Sequence, residues 1–338
     1  MARIAGRLSL MVWLGALVAC GGEDPPVAPS PDLEWSEAFD AQSFGWILNV
    51  WGPDPDDLWA VGGTPTEGKI QHWDGTAWGA MDTGQSVPLL NWAYGFSGSD
   101  ITLVGNEGTV LHYDGSAFTL QDTPTDQNLW GVWGPSPDDL WAVGGDNSDE
   151  TDRIILHFDG SAWTESPIPM LQKANVRAFF KVWGSSSDNV YVVGSRGVVL
   201  HWQGSEWVEE LVGASDDLIS VWGTGPDHVV AVGGRGNGVV SRFDGSEWLT
   251  ETLAPMPGLN GIFMRDPNVI HAVGVKGTIA TIDFESLDFE QQDYDTELDL
   301  HAVFGDASGK LTAVGGSLAS IQPPHQGVAI ERDLATDE

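Results

Sequence analysis

Residues 50–63 read VWGPDPDDLWAVGG, and residues 132–145 read VWGPSPDDLWAVGG, the same phrase with one residue changed. Its skeleton is an aromatic residue followed ten positions later by a Val-Gly pair. That skeleton occurs seven times: the aromatics are Trp51, Tyr94, Trp133, Trp183, Trp222, Phe263 and Phe304, and no copy carries an insertion before its valine, at Val61, Val104, Val143, Val193, Val232, Val273 and Val314. Successive aromatics lie 39 to 50 residues apart, the period of propeller blades and related arrays.

A second phrase follows each first one. It is clearest as GTVLHYDGSAF from Gly108 and IILHFDGSAW from Ile154, recurs from Ile70, Val199 and Val239, and degenerates to TIDFESLDF from Thr281. Short β-branched and aromatic runs punctuated by Gly, Asp and Pro read as strands joined by turns. Each unit therefore predicts four strands, and sheets of this kind bury their faces by stacking around an axis.

The termini predict how the ring closes. Fourth strands occur six times, expected to end at Trp78, Phe118, Trp163, Trp207, Trp248 and Phe289, while the seventh unit finishes on its third strand, VAIERD, at residues 328–333. The missing strand is supplied by LEWSEAF at residues 33–39, where Trp35 takes the same aromatic slot. The expected fold is all-β: a seven-bladed β-propeller of four-stranded blades, the last blade closed by the N-terminal strand. Repeated slots also account for most of the 17 tryptophans as wedges between blades rather than as a carbohydrate platform, since packing needs one large residue per blade.

Outside the repeats, residues 1–19 have a basic start at Arg3 and Arg7 and an apolar stretch too short to span a membrane as a helix. Leu17-Val18-Ala19-Cys20, then Gly21-Gly22, is similar to a bacterial lipobox, and Cys20 is the single cysteine of the chain. The expectation is a lipoprotein signal peptide over 1–19, a lipidated Cys20 with a proline-rich tether over 20–32, a propeller over 33–333 and a frayed tail over 334–338. Gly21 after the cysteine favours the outer membrane. Formal charge is −35, and loss of Arg3 and Arg7 with the signal takes it to −37. A surface this acidic repels nucleic acid and anionic membrane at long range. Membrane contact is thus expected through the lipid anchor alone, with no nucleic-acid partner and a monomeric state.

Because the units are copies, they can be compared with one another. The turns between first and second strands (GPDPDDL, GPSPDDL, GSSSDNV, GTGPDHV) and between third and fourth strands are uniform, so their shared face reads as scaffold. Asp56, Asp138, Asp188 and Asp227 are expected to cap those turns as Asx acceptors. On the opposite face, the connections between second and third strands and between blades vary. Five cations fall in the former kind: Lys69, Arg153, Arg196, Arg235 and Lys276. Pointing inward, they would make an anion-binding rim with Arg153 and Arg196 as its central pair; pointing outward, they are ordinary turn residues.

Other constellations are weaker. His72, His112, His157 and His201 repeat in one slot, whereas ligands of one metal must converge, so hydrogen bonding is the expectation. The oxygen-bearing residues Asp146, Asn147, Asp149, Glu150 and Asp152 do not have the spacing of a calcium loop. No metal and no cofactor is expected, since no phosphate-binding loop or nucleophile elbow is present.

The phrases VWGPDPDDLWAVGG and IQHWDGTAW resemble the Trp-rich repeats of bacterial lipoprotein β-propellers, broadly within the sialidase-like and kelch-like seven-bladed groups. The resemblance implies the fold and carries over no catalytic residue. The FDGSAW turn lacks one residue of a sialidase Asp-box, and Tyr94, Tyr113 and Tyr191 sit in structural slots rather than in a nucleophile's position. The functional expectation is an envelope-anchored, non-enzymatic module recognising a protein or glycan through its variable loops. The alternative is a glycan-processing hydrolase or lyase using acids at the channel mouth.

Overall fold

The computed structural model describes residues 34–146, 148–292 and 294–334. The signal stretch, Cys20, the tether and residues 335–338 lie outside them.

Seven four-stranded antiparallel sheets form a closed ring. Six are built from consecutive strands, and the seventh pairs Ser36–Glu37 with Gly327–Asp333, placing Ser36 opposite Glu331. Each first strand lies at the inner edge of its blade, and first strands of neighbouring blades pack on one another around the axis. The fourth strands begin at the aromatics expected to end them, as Trp78–Met81 and Phe118–Gln121 do. The reason is the turn before them. Asp74 Oδ1 accepts the N–H groups of Thr76 and Ala77, both at 2.9 Å, so the chain reverses at once and Trp73 pairs with Trp78.

The Trp-Gly dipeptide locks blade to blade. Trp51 lies over Gly95 of the next blade, Trp133 over Gly184, Trp183 over Gly223 and Phe263 over Gly305. A Cβ on Gly223 would stand 2.5 Å from Trp183 Cη2, and one on Gly184 2.7 Å from Trp133 Cη2. The aromatic of one copy thus needs the glycine of the next. Blade six has Met264 in that place, and Trp222 instead donates Nε1–H to its carbonyl at 3.0 Å.

The outer aromatic slot is held by a second series of bonds. Trp163 Nε1 donates to Gln121 Oε1 at 2.7 Å and Trp207 Nε1 to Ser166 Oγ at 3.1 Å, the first reaching the end of the preceding blade's fourth strand and the second the residue just after it. The repeated histidines are structural, as expected. Nε2 of His72, His112 and His157 lies 2.7, 3.0 and 2.8 Å from a carboxylate oxygen of Asp57, Asp100 and Asp139, and Trp59 stacks on His72 with centroids 4.2 Å apart.

On the scaffold face the Asx role falls to different residues. Asp74, Asp114, Asp159 and Asp244 accept the turn N–H groups and a Ser or Thr hydroxyl. The hydroxyl bond, with the two backbone bonds, holds the carboxyls of Asp74, Asp114 and Asp159 down at about 2. Asp56, Asp138, Asp188 and Asp227 instead pack against Gly75, Gly160, Gly204 and Gly245, which take left-handed φ values of +80° to +88° in the neighbouring turn. Sequence proximity suggested capping, but the partner turn stands closer in space.

Candidate functional site: the channel mouth

All seven first strands carry the same irregularity. Pairing with the second strand slips by one residue between Ile47 and Asn49, Leu90 and Trp92, Leu129 and Gly131, Phe179 and Lys181, Leu218 and Ser220, Leu259 and Gly261, and Leu300 and Ala302. A bulge leaves the extra residue unpaired and re-aims its side chain. The extra residues are Leu48, Asn91, Trp130, Phe180, Ile219, Asn260 and His301. Six of them line one cavity of about 480 Å³. Asn91 is turned aside, its Nδ2 donating to Leu129 O at 2.8 Å.

The remaining wall comes from Trp46 and Asp299 at the starts of first strands, from Leu89 just before one, and from Arg235, Val275, Leu318 and Ala319 between second and third strands. This is the variable-loop face, at the entrance to the channel. The walls are mainly apolar and aromatic, as ligand cavities usually are. Trp46 Nε1 donates to Ser317 Oγ at 3.3 Å and Trp130 Nε1 to Gly145 O at 2.8 Å, so both indoles are held in place.

Polar groups are few. Lys181 is 4% exposed, and burial pushes its ammonium down to about 7. Its side chain crosses Gly131 of blade three, where a Cβ would stand 3.3 Å from Lys181 Cδ. Nζ donates to Trp130 O at 2.8 Å and lies 4.2 Å from the centroid of Trp92. His301 donates from Nδ1 to Leu48 O at 2.6 Å, and burial with the nearby Lys181 charge pushes it down to about 3, so it is neutral at physiological pH. Arg235 is bound through Nε and Nη2 to Asp217 Oδ2, both at 2.8 Å, with its guanidinium 5.8 Å from the Phe180 ring.

The five loop cations are spread out. Arg235 alone of them lines the mouth. Lys69 lines a separate groove of about 530 Å³ and donates to Ser43 O at 3.3 Å. Arg153 lines another groove of about 580 Å³, where its Nη1 is taken by the carbonyls of Val176, at 3.0 Å, and Glu150. Arg196 and Lys276 are exposed at the tips of tight turns with left-handed φ values of 63° and 55°. Their backbone N–H groups donate to Asp217 Oδ1 at 2.8 Å and Asp299 Oδ1 at 2.9 Å.

Apart from Arg235, the mouth residues were not among the sequence candidates. A signal existed: Trp46, Trp92 and Trp130 are tryptophans outside the repeated slots, and Lys181 is a lone cation in an otherwise apolar first strand. What hid them is that the bulge decides their direction.

No protein-family model and no curated protein matches the chain. Solved structures with the same architecture include the WD40 β-propeller domain of Doa1, with a TM-score of 0.69 and 11% identity over 89% of this chain and 98% of that one. YCF48 from Cyanidioschyzon merolae gives 0.66 and 14%, over 88% and 98%. YCF48 bound to D1 peptide gives 0.64 and 18%, over 92% and 99%. At these identities the likeness is one of fold.

Proposed function

We propose that this protein is a monomeric, non-enzymatic binding module that seats an apolar segment of a partner protein in the channel mouth. The observation that carries the reading is the cup itself, in which Trp46, Trp130, Phe180, Leu48 and Ile219 converge from four different blades around one cavity. Aromatic anchors in desolvated pockets supply most of the energy of protein recognition. The peptide in the YCF48 structure is a precedent for peptide binding on this architecture. Lipidation of Cys20 would hold the module at the cell envelope, on the outer membrane, and the tether over residues 20–32 would give it reach.

Glycoside hydrolysis needs two facing carboxyls. Among the described residues Asp299 is the one acid lining the mouth, and its Oδ1 already receives Lys276 N–H. Binding is therefore the better reading of this cavity. A glycan reading rests on the side grooves holding Lys69 and Arg153. A glycan array of sulfated, sialylated and uronic-acid ligands, run beside an Arg153→Ala/Arg196→Ala double variant, tests it.

The main test is selection of displayed random peptides on the wild type, followed by binding to Ile219→Trp, which fills the cup. Selected peptides should lose about tenfold or more in affinity for the variant. Peptides that bind both proteins equally would place recognition elsewhere.

A further inference from the structure

Lys181 poses a chemical problem that its surroundings do not solve. An ammonium has three N–H donors, and within the described structure Trp130 O accepts one of them. The Trp92 ring faces the charge at 4.2 Å, and none of the ion pairs among the described residues includes Lys181. A buried cation without a counter-ion is unfavourable, and the penalty falls when an anion pairs with it. Yet the first strand carries Lys181 into the floor of an open cavity, and Gly131 leaves room for its stem.

We propose that the channel mouth binds a carboxylate borne on an apolar or aromatic group, with Lys181 as the counter-ion. This deepens the binding reading above and rests on it. The carboxylate takes the ammonium donors left over by Trp130 O, and the apolar group lies against Trp130, Phe180, Leu48 and Ile219. Arg235 is neutralised by Asp217 at the rim, and Asp299 stands two residues before the bulge, towards the entrance. The floor therefore offers a single positive charge, which matches a monocarboxylate better than a phosphate or sulfate dianion. The negative surface of the protein gives no long-range attraction, so selectivity comes from short-range contact.

Such a carboxylate has two sources: a free small molecule or the C-terminus of a protein chain. Four probes separate them, added to the whole protein and followed by calorimetry. They are N-acetylphenylalanine and its amide, and a pentapeptide of four alanines ending in phenylalanine, as free acid and as amide. Free acids should bind about tenfold or more tightly than their amides. Lys181→Met should abolish that preference and Lys181→Arg retain part of it. If Lys181→Met does not fold, Ile219→Trp must block the acids instead. Binding of N-acetylphenylalanine marks a small-molecule ligand, and binding of the peptide acid alone marks a chain terminus; either supports the site. Equal binding of acids and amides overturns the role of Lys181 but leaves the apolar cup as a binding site. Absence of binding by both acids also overturns it. Displayed peptides indifferent to Ile219→Trp would instead remove the wider reading.

Discussion

Trp35 Nε1 donates to Gln292 Oε1 at 2.9 Å, joining residues 257 positions apart. Gln292 ends the fourth strand of blade six, and Gln121 stands at the same place in blade two, where it receives Trp163. Trp35 therefore fills, from the N-terminus, the slot that each internal blade fills from its own chain.

Closure should be measurable as stability. Trp35→Ala removes a half-buried ring and its bond, and should cost about 2 kcal/mol. Trp35→Phe, which keeps the ring, should cost about 1 kcal/mol. Deleting residues 33–44 should lower the melting temperature far more than deleting residues 23–31. Equal melting of the two truncations would show that the ring does not depend on this strand.

The Trp-Gly interlock predicts a position-specific response to one methyl group. Gly223→Ala sets a Cβ against Trp183, whereas Gly225→Ala, two residues on, meets nothing within 4 Å. The first should destabilise by about 1–3 kcal/mol and the second by less than about 0.5 kcal/mol in chemical denaturation. Trp183→Leu should partly rescue Gly223→Ala, since it relieves one of the two contacts at 2.5 Å and leaves the other, with His228 O.

Lys181 should leave a mark on the pH dependence of stability. Its folded value of about 7 lies below the ordinary 10.5, so between those limits the unfolded chain holds the extra proton. The contribution is then fully present above pH 10.5, and is lost as pH falls towards 7. The difference in unfolding free energy between wild type and Lys181→Met should rise across that window and be flat below it. A flat difference throughout would mean that Lys181 is solvated.

The proposed lipid anchor is tested at Cys20. The wild type should partition into detergent and sediment with membranes, and Cys20→Ser should appear in the soluble fraction or remain unprocessed. A wild type that is already water-soluble would remove the lipid anchor.

The sequence by itself determined the ring. A period near 40 residues, an aromatic and a Val-Gly pair at constant spacing, and a missing fourth strand matched by Trp35 leave little freedom in how the blades pair, because each sheet must bury its faces against the next. The repeated histidines and most tryptophans were legible for the same reason: a slot copied in every blade serves the contact that every blade makes. Only the tertiary structure decided the mouth. Leu48, Trp130, Phe180, Ile219, Asn260 and His301 share no chemistry from copy to copy, so no pattern marks them. They meet because a one-residue slip in each first strand turns them towards a common axis. Lys181 belongs to the same class. Its charge is plain in the sequence, but its burial depends on a glycine 50 residues away and on a tryptophan two blades back, a proximity set by closing the ring.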